Sequence, residues 1–239
     1  MTTPTMPASV TACDTCCAGD LCLFAEGLTV GAGEWERIVQ PHGEVRAGRR
    51  LYQRNSPLKY IYLVCSGCIK TQRDTPDGSL VISGFHLPGD LLGIDAINND
   101  RYTADAVATV DSEVCRFDYA QLLTHCASHP KIAAKMMTHV TRYAARKDEE
   151  LAWTMGLNAQ RRVLRFFLRL HDSICLQGRS DRETVRIPMR KQDIAHYLRM
   201  TPETFSRNLA ALRRDGLLEL QKNHFVFPDR GLAHAITQI

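Results

Sequence analysis

Between residues 44 and 120 the apolar positions come in short or alternating runs: Leu51-Tyr52, Tyr60 to Val64, Ile69-Lys70, Leu80 to Phe85, Ala104 to Val110 and Val114 to Phe117. Turn-forming clusters separate them: Asn55-Ser56-Pro57, Ser66-Gly67, Pro76-Asp77-Gly78, Pro88-Gly89-Asp90 and Asn98-Asn99-Asp100. Many short strands punctuated in this way predict an antiparallel β domain of the jelly-roll kind, with Pro76-Asp77-Gly78 as a hairpin tip. Upstream, Leu28 to Val39 predicts a short helix carrying Trp35 and Ile38, ended by Pro41-His42-Gly43.

The period changes at His129-Pro130. Neither Gly nor Pro interrupts the chain from there to Met155, which predicts one long helix. Alternating four-and-three spacing draws a stripe through it: Ala133, Met137, Val140, Ala144, Lys147, Leu151 and Thr154. Such a stripe suits pairing with a second copy of the chain, and it suits equally a helix that covers its own β domain. In a symmetric pair Lys147 would meet its own copy and weaken the contact, unless Asp148, Glu149 or Glu150 neutralises it. Residues 158–177 predict a second amphipathic helix. Leu157 or Asn158 opens it, Val163, Phe166, Phe167 and Leu170 form its apolar face, and Gly178 stops it; a polar linker, Arg179 to Glu183, follows.

Met189 to Leu198 reads as a short helix with Ile194, Ala195 and Leu198 inward, and Arg199-Met200 as a tight turn. Thr201 is a good N-cap, Pro202 fits the first helical position, and Gly216 closes a second helix that runs to Asp215. Two short helices joined by a tight turn make a helix-turn-helix. Phe205, Leu209 and Leu212 share the inner face of the second helix. Glu203, Ser206 and Arg207 share its outer face near the N-terminus, where a recognition helix meets base edges. Arg can grip guanine with two bonds, Glu can accept from cytosine N4, and Ser adapts to either. Arg190, Lys191, Arg213, Arg214 and Lys222 surround the unit as candidates for phosphate contacts. Leu217 to Leu220 and His224 to Phe227 predict a two-stranded wing.

The 239 residues are enough for two domains, and a net charge of +4 is too weak to argue for nucleic acid without that distribution. No apolar run reaches the roughly 18 residues that span a bilayer, and the N-terminus lacks a secretory pattern, so a cytoplasmic location is expected, with no membrane partner. In that compartment cysteines bind metal or do redox chemistry more often than they form disulfides. Four of the nine stand within Cys13-Asp14-Thr15-Cys16-Cys17-Ala18-Gly19-Asp20-Leu21-Cys22. Cys13, Cys16 and Cys22 form a C-x2-C-x5-C set whose sulfurs can converge on one soft metal centre. Spacing alone leaves iron–sulfur and zinc both open, and the fourth ligand has to come from elsewhere; Cys115, on a strand, is the candidate. Cys65 and Cys68 read as structural, and Cys126 and Cys175 as packed in helices.

The whole chain resembles the CRP/FNR superfamily of bacterial transcription regulators, and within it the oxygen-sensing fumarate and nitrate reduction (FNR/Anr) group. The general likeness lies in Gly84-Phe85-His86-Leu87-Pro88-Gly89-Asp90-Leu91-Leu92-Gly93, the long helix and the winged helix-turn-helix; the group-specific likeness lies in the cysteine loop, Cys115 and Glu203-Thr204-Phe205-Ser206-Arg207. The resemblance implies an α+β fold in four parts: a cluster-binding segment at 1–27, a β-roll sensor domain at 28–128, a dimerisation helix at 129–156 and a winged helix-turn-helix at 157–239. It implies an oxygen-labile [4Fe-4S] cluster on Cys13, Cys16, Cys22 and Cys115. The implied partners are a second copy of the chain when active, a palindrome in double-stranded DNA close to TTGAT-N4-ATCAA, and RNA polymerase, contacted through the loop Asp74 to Ser79. Two departures stand out: Cys17 lies inside the cluster loop, and Lys147 replaces an acidic residue. A cyclic-nucleotide sensor would want a Glu just after Gly93 and an Arg-Ser/Thr pair, where this chain has Ile94-Asp95-Ala96 and Arg101-Tyr102-Thr103. Haem held by His86, His125, His129 or Met136 is a further sensor reading, and a zinc or thiol redox enzyme at Cys65 and Cys68 would leave the helix-turn-helix unexplained.

Overall fold

The computed structural model of the chain describes residues 39–75, 78–175 and 184–237. It divides into two compact units, one taking residues through Arg73 and Ser83–Arg142, the other Asp74–Ile82 and Tyr143 onward.

In the first unit the short apolar runs are strands: β1 (Val39–Val45), β2 (Arg50–Tyr52), β3 (Tyr60–Ser66), β4 (Ile69–Asp74), β5 (Leu80–His86), β6 (Leu91–Leu92), β7 (Asp105–Ala108) and β8 (Ser112–Asp118). They form two four-stranded sheets, ordered β1-β8-β3-β6 and β2-β7-β4-β5, in the jelly-roll-like arrangement expected. The turn residues take the left-handed backbone that their types tolerate: Asn55, Gly67, Gly78, Gly89 and Asp100 all have positive φ. Gly67 has a second reason to lack a side chain. The chain turns a corner there from one sheet to the other, and a Cβ would stand 2.3 Å from Ser112 Oγ and 2.6 Å from the Asp111 carbonyl oxygen.

One expectation is overturned. Pro41-His42-Gly43 ends no helix; it lies inside β1, whose register against β8 shifts between Gln40 and Gly43. Because β1 is an edge strand, proline's missing N–H removes no ladder bond that matters there. The helix expected from Leu28 falls outside the described residues, apart from Val39, which opens β1.

Period-two alternation along β3 sorts the core. Ile61, Leu63 and Cys65 join Leu91, Cys115 and Phe117 on one face, with Leu122 of α1 (Tyr119–Ser128) and Ile132 of α2 (Pro130–Gly156). Tyr62 and Val64 join Tyr52, Ile69, Leu92, Tyr102, Ala106 and Val114 on the other. α1 holds Cys126, which the sequence places in a helix without giving that helix bounds. It is capped by Asp118, which accepts from the Gln121 N–H at 3.1 Å, but it buries only Leu122, so no apolar stripe announced it.

The second unit is built on α3 (Ala159–Cys175), which buries Val163, Phe166, Phe167 and Leu170 as the pattern predicted. Asn158 Oδ1 caps it from the Arg161 N–H. Gly178 and the linker Arg179 to Glu183 lie outside the described residues. The wing is a three-stranded sheet in the order β10-β11-β9, made of β9 (Val185–Arg186), β10 (Glu219–Gln221) and β11 (His224–Val226). Phe225 of β11 meets the Phe167 ring edge-on, 4.9 Å between centroids. The two-residue β9 and the seven-residue α6 (Arg230–Ile236) are too short to show a period, and sequence reading missed both. No helix among the described residues is long and apolar enough to cross a membrane.

Candidate functional site

The helix-turn-helix consists of α4 (Lys191–Tyr197) and α5 (Pro202–Arg214). α4 is shorter than the Met189–Leu198 expected: Arg190 is its N-cap position, and buried Met189 precedes it. Ile194, Ala195 and Leu198 are buried as anticipated. Thr201 Oγ1 accepts from the Thr204 N–H at 3.2 Å and caps α5, and Pro202 occupies its first turn. Phe205, Leu209 and Leu212 face inward. That anchors the helix so that Glu203, Ser206 and Arg207 stand exposed on the opposite side.

The outward groups are poised as charges. Glu203 is held below the usual carboxylate range by its own backbone N–H and by the Thr201 hydroxyl, with Arg207 adding to the effect. Arg207 Nη2 donates to Thr204 Oγ1 at 3.4 Å, which lays the guanidinium along the helix. Arg190, Lys191, Arg213, Arg214 and Lys222 are all exposed. Arg213 and Arg214 line a cleft of about 430 Å³ with Ala210, Glu219, Leu220 and Gln221. The arrangement can present a charged, adaptable helix edge flanked by cations, which is what base edges and phosphates require.

Of the four cysteines expected to hold a metal, only Cys115 falls among the described residues; Cys13, Cys16 and Cys22 lie outside them, as does Cys17. Cys115 is a buried thiol at the middle of β8, opposite Leu63 of β3. It shares a cluster with Ile132, near the start of α2, and with partly buried Met136 and Cys126. Burial pushes the Cys126 thiol up in pKa. Cys65 and Cys68 are fully buried. Among the described residues no group of three or more His, Cys, Asp or Glu could hold a metal ion.

Tyrosines pack together in one core cluster of the roll. Tyr52 stacks on Tyr102 at 3.9 Å between ring centroids and on Tyr62 at 5.7 Å. Tyr102 donates to the Tyr60 carbonyl at 2.7 Å, and burial raises the pKa of Tyr62, so the cluster stays neutral. Asp95 accepts from Thr103, and Arg101 Nη1 donates to the Asn55 carbonyl at 2.7 Å. Asp95, Arg101 and Thr103, which stand in the segments weighed for a nucleotide by sequence, are therefore hydrogen-bonded within the protein. His86 is buried against Thr71 Oγ1 at 3.2 Å, while His125 and His129 stack on each other at 5.7 Å.

Along α2, Met137 is 62% exposed and Leu151 57%, and Ala144 is exposed; Val140 is half-buried. Lys147 does not point out from the stripe. Its Nζ lies 2.8 Å from Glu150 Oε2. Glu150 also pairs with Arg169, which donates to Tyr197 OH at 3.0 Å, so one carboxylate of α2 is tied to α3 and α4. Burial would raise the Glu150 pKa, but the Arg169 and Lys147 charges outweigh it and hold it below the usual range. Arg165 pairs with Glu149, and both Arg165 and Arg169 lie over the buried Trp153 ring. One row of exposed positions runs Met137, Thr141, Ala144, Asp148, Leu151 and Met155, again at four-and-three spacing. The charged residue exposed among them is Asp148, one place away from the lysine chosen by pattern alone.

Comparison with known proteins adds three findings. Residues 43–129 match the cyclic nucleotide-binding domain family, and residues 161–232 the Crp-like helix-turn-helix domain family. The chain is 29% identical over 210 residues to the transcriptional regulatory protein btr of Bordetella pertussis, covering 88% of this chain and 86% of that protein. It is 29% identical over 209 residues to the fumarate and nitrate reduction regulatory protein of Vibrio cholerae, covering 87% and 83%. In fold it is similar to FixK2 from Bradyrhizobium japonicum, with a TM-score of 0.75 at 24% identity, over 84% of this chain and 98% of that one.

Proposed function

The chain belongs to the CRP/FNR family of transcription regulators, and on that premise we propose that it is an oxygen-responsive regulator that binds a palindromic DNA site as a homodimer. The helix-turn-helix supplies DNA binding, and the relatives are regulators rather than enzymes. The observation that carries the oxygen reading is the position of Cys115. The buried thiol on β8 shares its cluster with Ile132 at the start of α2, so a bond to that sulfur acts on the root of the pairing helix.

Iron–sulfur centres need cysteine sulfur ligands, and Cys115 offers one on β8; Cys13, Cys16 and Cys22 enter by their spacing. When bound, a [4Fe-4S] cluster would supply an oxygen-labile link among these four sulfurs. The exposed face of α2 is where two copies pair in this reading, through Met137, Ala144, Leu151 and Met155. Asp148 then meets its own copy, and the like-charge contact keeps the pair marginal. A marginal equilibrium is one that a distant bond can shift. Pairing places two recognition helices about 34 Å apart, one turn of DNA. Glu203, Ser206 and Arg207 read the bases of a TTGAT-N4-ATCAA-like site, and Arg190, Lys191, Arg213 and Arg214 hold phosphates. RNA polymerase is the partner proposed for the Asp74–Ser79 loop, where Thr75 and Ser79 close the turn with a 2.9 Å backbone bond. The tyrosine cluster and the hydrogen-bonded Asp95, Arg101 and Thr103 favour a signal other than a nucleotide in this reading.

The test is a gel shift on the palindrome with anaerobically purified protein. Wild type should be brown, bind the duplex, and lose both properties in air. Cys22→Ser and Cys115→Ser should lose anaerobic binding while keeping wild-type circular dichroism. Colourless protein that binds in air as it does without it would refute the reading.

A further inference from the structure

Among the described residues, four that are not glycine have positive φ: Asn55, Asp100, Arg199 and Lys222. Asn and Asp tolerate this conformation because a short polar side chain can satisfy nearby backbone groups. Arg and Lys have no such compensation, and a left-handed backbone at either raises the energy of the folded state. Both exceptions are cations, both are exposed, and both lie in the DNA-binding part of the chain.

Their places are alike. Arg199, φ +55°, sits in the turn between α4 and α5, two residues before the Thr201 cap. The α4 end is closed around it by Arg199 N–H to the His196 carbonyl and Met200 N–H to the Ala195 carbonyl, both 3.1 Å. This is the helix-end geometry that normally takes glycine. The chain does use glycine for it elsewhere: Gly216, φ +68°, follows the end of α5. Lys222, φ +53°, opens the two-residue loop Lys222-Asn223 between the paired Gln221 and His224, where a positive φ also favours glycine. One strained cation therefore precedes the recognition helix and the other tips the wing that follows it. Neither is seen in an ion pair among the described residues.

We infer that Arg199 and Lys222 bind DNA phosphates, one on each flank of the recognition helix, kept at turn positions that the backbone alone would give to glycine. The inference rests on the DNA-binding reading and extends it to a residue, Arg199, that charge distribution along the sequence did not single out. A cation at either turn adds attraction to the duplex without reading a base.

The experiment uses the full chain and two duplexes, one carrying the palindrome and one scrambled, with anisotropy followed across a salt series. Arg199→Gly and Lys222→Gly should keep or raise the melting midpoint, because glycine relieves the left-handed strain. Each should bind both duplexes more weakly by the same factor. The slope of log K against log salt should shrink by about 0.9 for each phosphate that a variant no longer neutralises. Arg199→Lys should retain most of the slope. Glycine variants with wild-type affinity and slope would overturn the inference while leaving DNA binding intact, and so would a loss confined to the palindrome. Wild-type protein that binds neither duplex at any salt would overturn the DNA reading and this inference with it.

Discussion

Glu203 and Arg207 work from the same turn of one helix, and their environments differ in what they can exchange with DNA. Hydrogen bonds from its own N–H and from Thr201 keep the Glu203 carboxyl ionised at neutral pH, as an acceptor for a cytosine amino group requires. Glu203→Ala should relax preference at one base pair and leave non-specific affinity nearly unchanged. A panel of single-substitution duplexes measures this, and an unaltered base profile would remove Glu203 from readout. Cys126 illustrates the opposite environment: burial raises its pKa, so it should react with iodoacetamide more slowly than a free thiol at the same pH, as followed by mass spectrometry.

At the scale of elements, two interactions decide how the recognition helix is held. Thr201 supplies the α5 cap, and Thr201→Ala should lower stability by about 1 kcal/mol in urea unfolding. Glu150 joins α2 to α3 and α4 through Arg169, Lys147 and Tyr197. Its folded pKa is lowered, so the stability it contributes is complete above the unfolded value of about 4.3 and is lost as pH falls through the folded value. Glu150→Gln should cost about 1.5–3 kcal/mol at pH 7, the range for hydrogen bonds to charged groups. The difference from wild type should narrow as pH falls below about 4.3. Denaturant melts at neutral and acidic pH check both points, and a pH-independent difference would mean the charge is not what matters.

For the whole molecule, the proposed pairing seam on α2 is what two substitutions test. Leu151→Asp should leave the circular dichroism spectrum unchanged, shift sedimentation toward monomer, and weaken binding to the palindrome more than to a single half-site. Asp148→Asn should do the reverse and make dimers persist in air, because it removes the like-charge repulsion. If charge neutralisation at Asp148 leaves the monomer–dimer balance where it was, another part of α2 sets it.

Much of this molecule is local physics and could be read from the chain alone. Alternating apolar runs separated by Gly, Asn and Asp become strands and left-handed turns because those residues have few other low-energy choices. Thr201-Pro202 and the inner triplet Phe205, Leu209 and Leu212 define a capped amphipathic helix before any partner is known, and that makes Glu203, Ser206 and Arg207 outward by geometry. Tertiary structure decided what no local pattern encodes. Pro41 sits in β1 because its strand found a sheet edge, and β9 exists because it pairs with β11. Lys147 left the stripe because Glu150 and Arg169 offered a buried carboxylate network, so Asp148 takes the outward place. Arg199 shows the limit most clearly: its sequence neighbourhood reads as a turn, but only the folded backbone reveals that the turn is left-handed and that an arginine stands where glycine would fit.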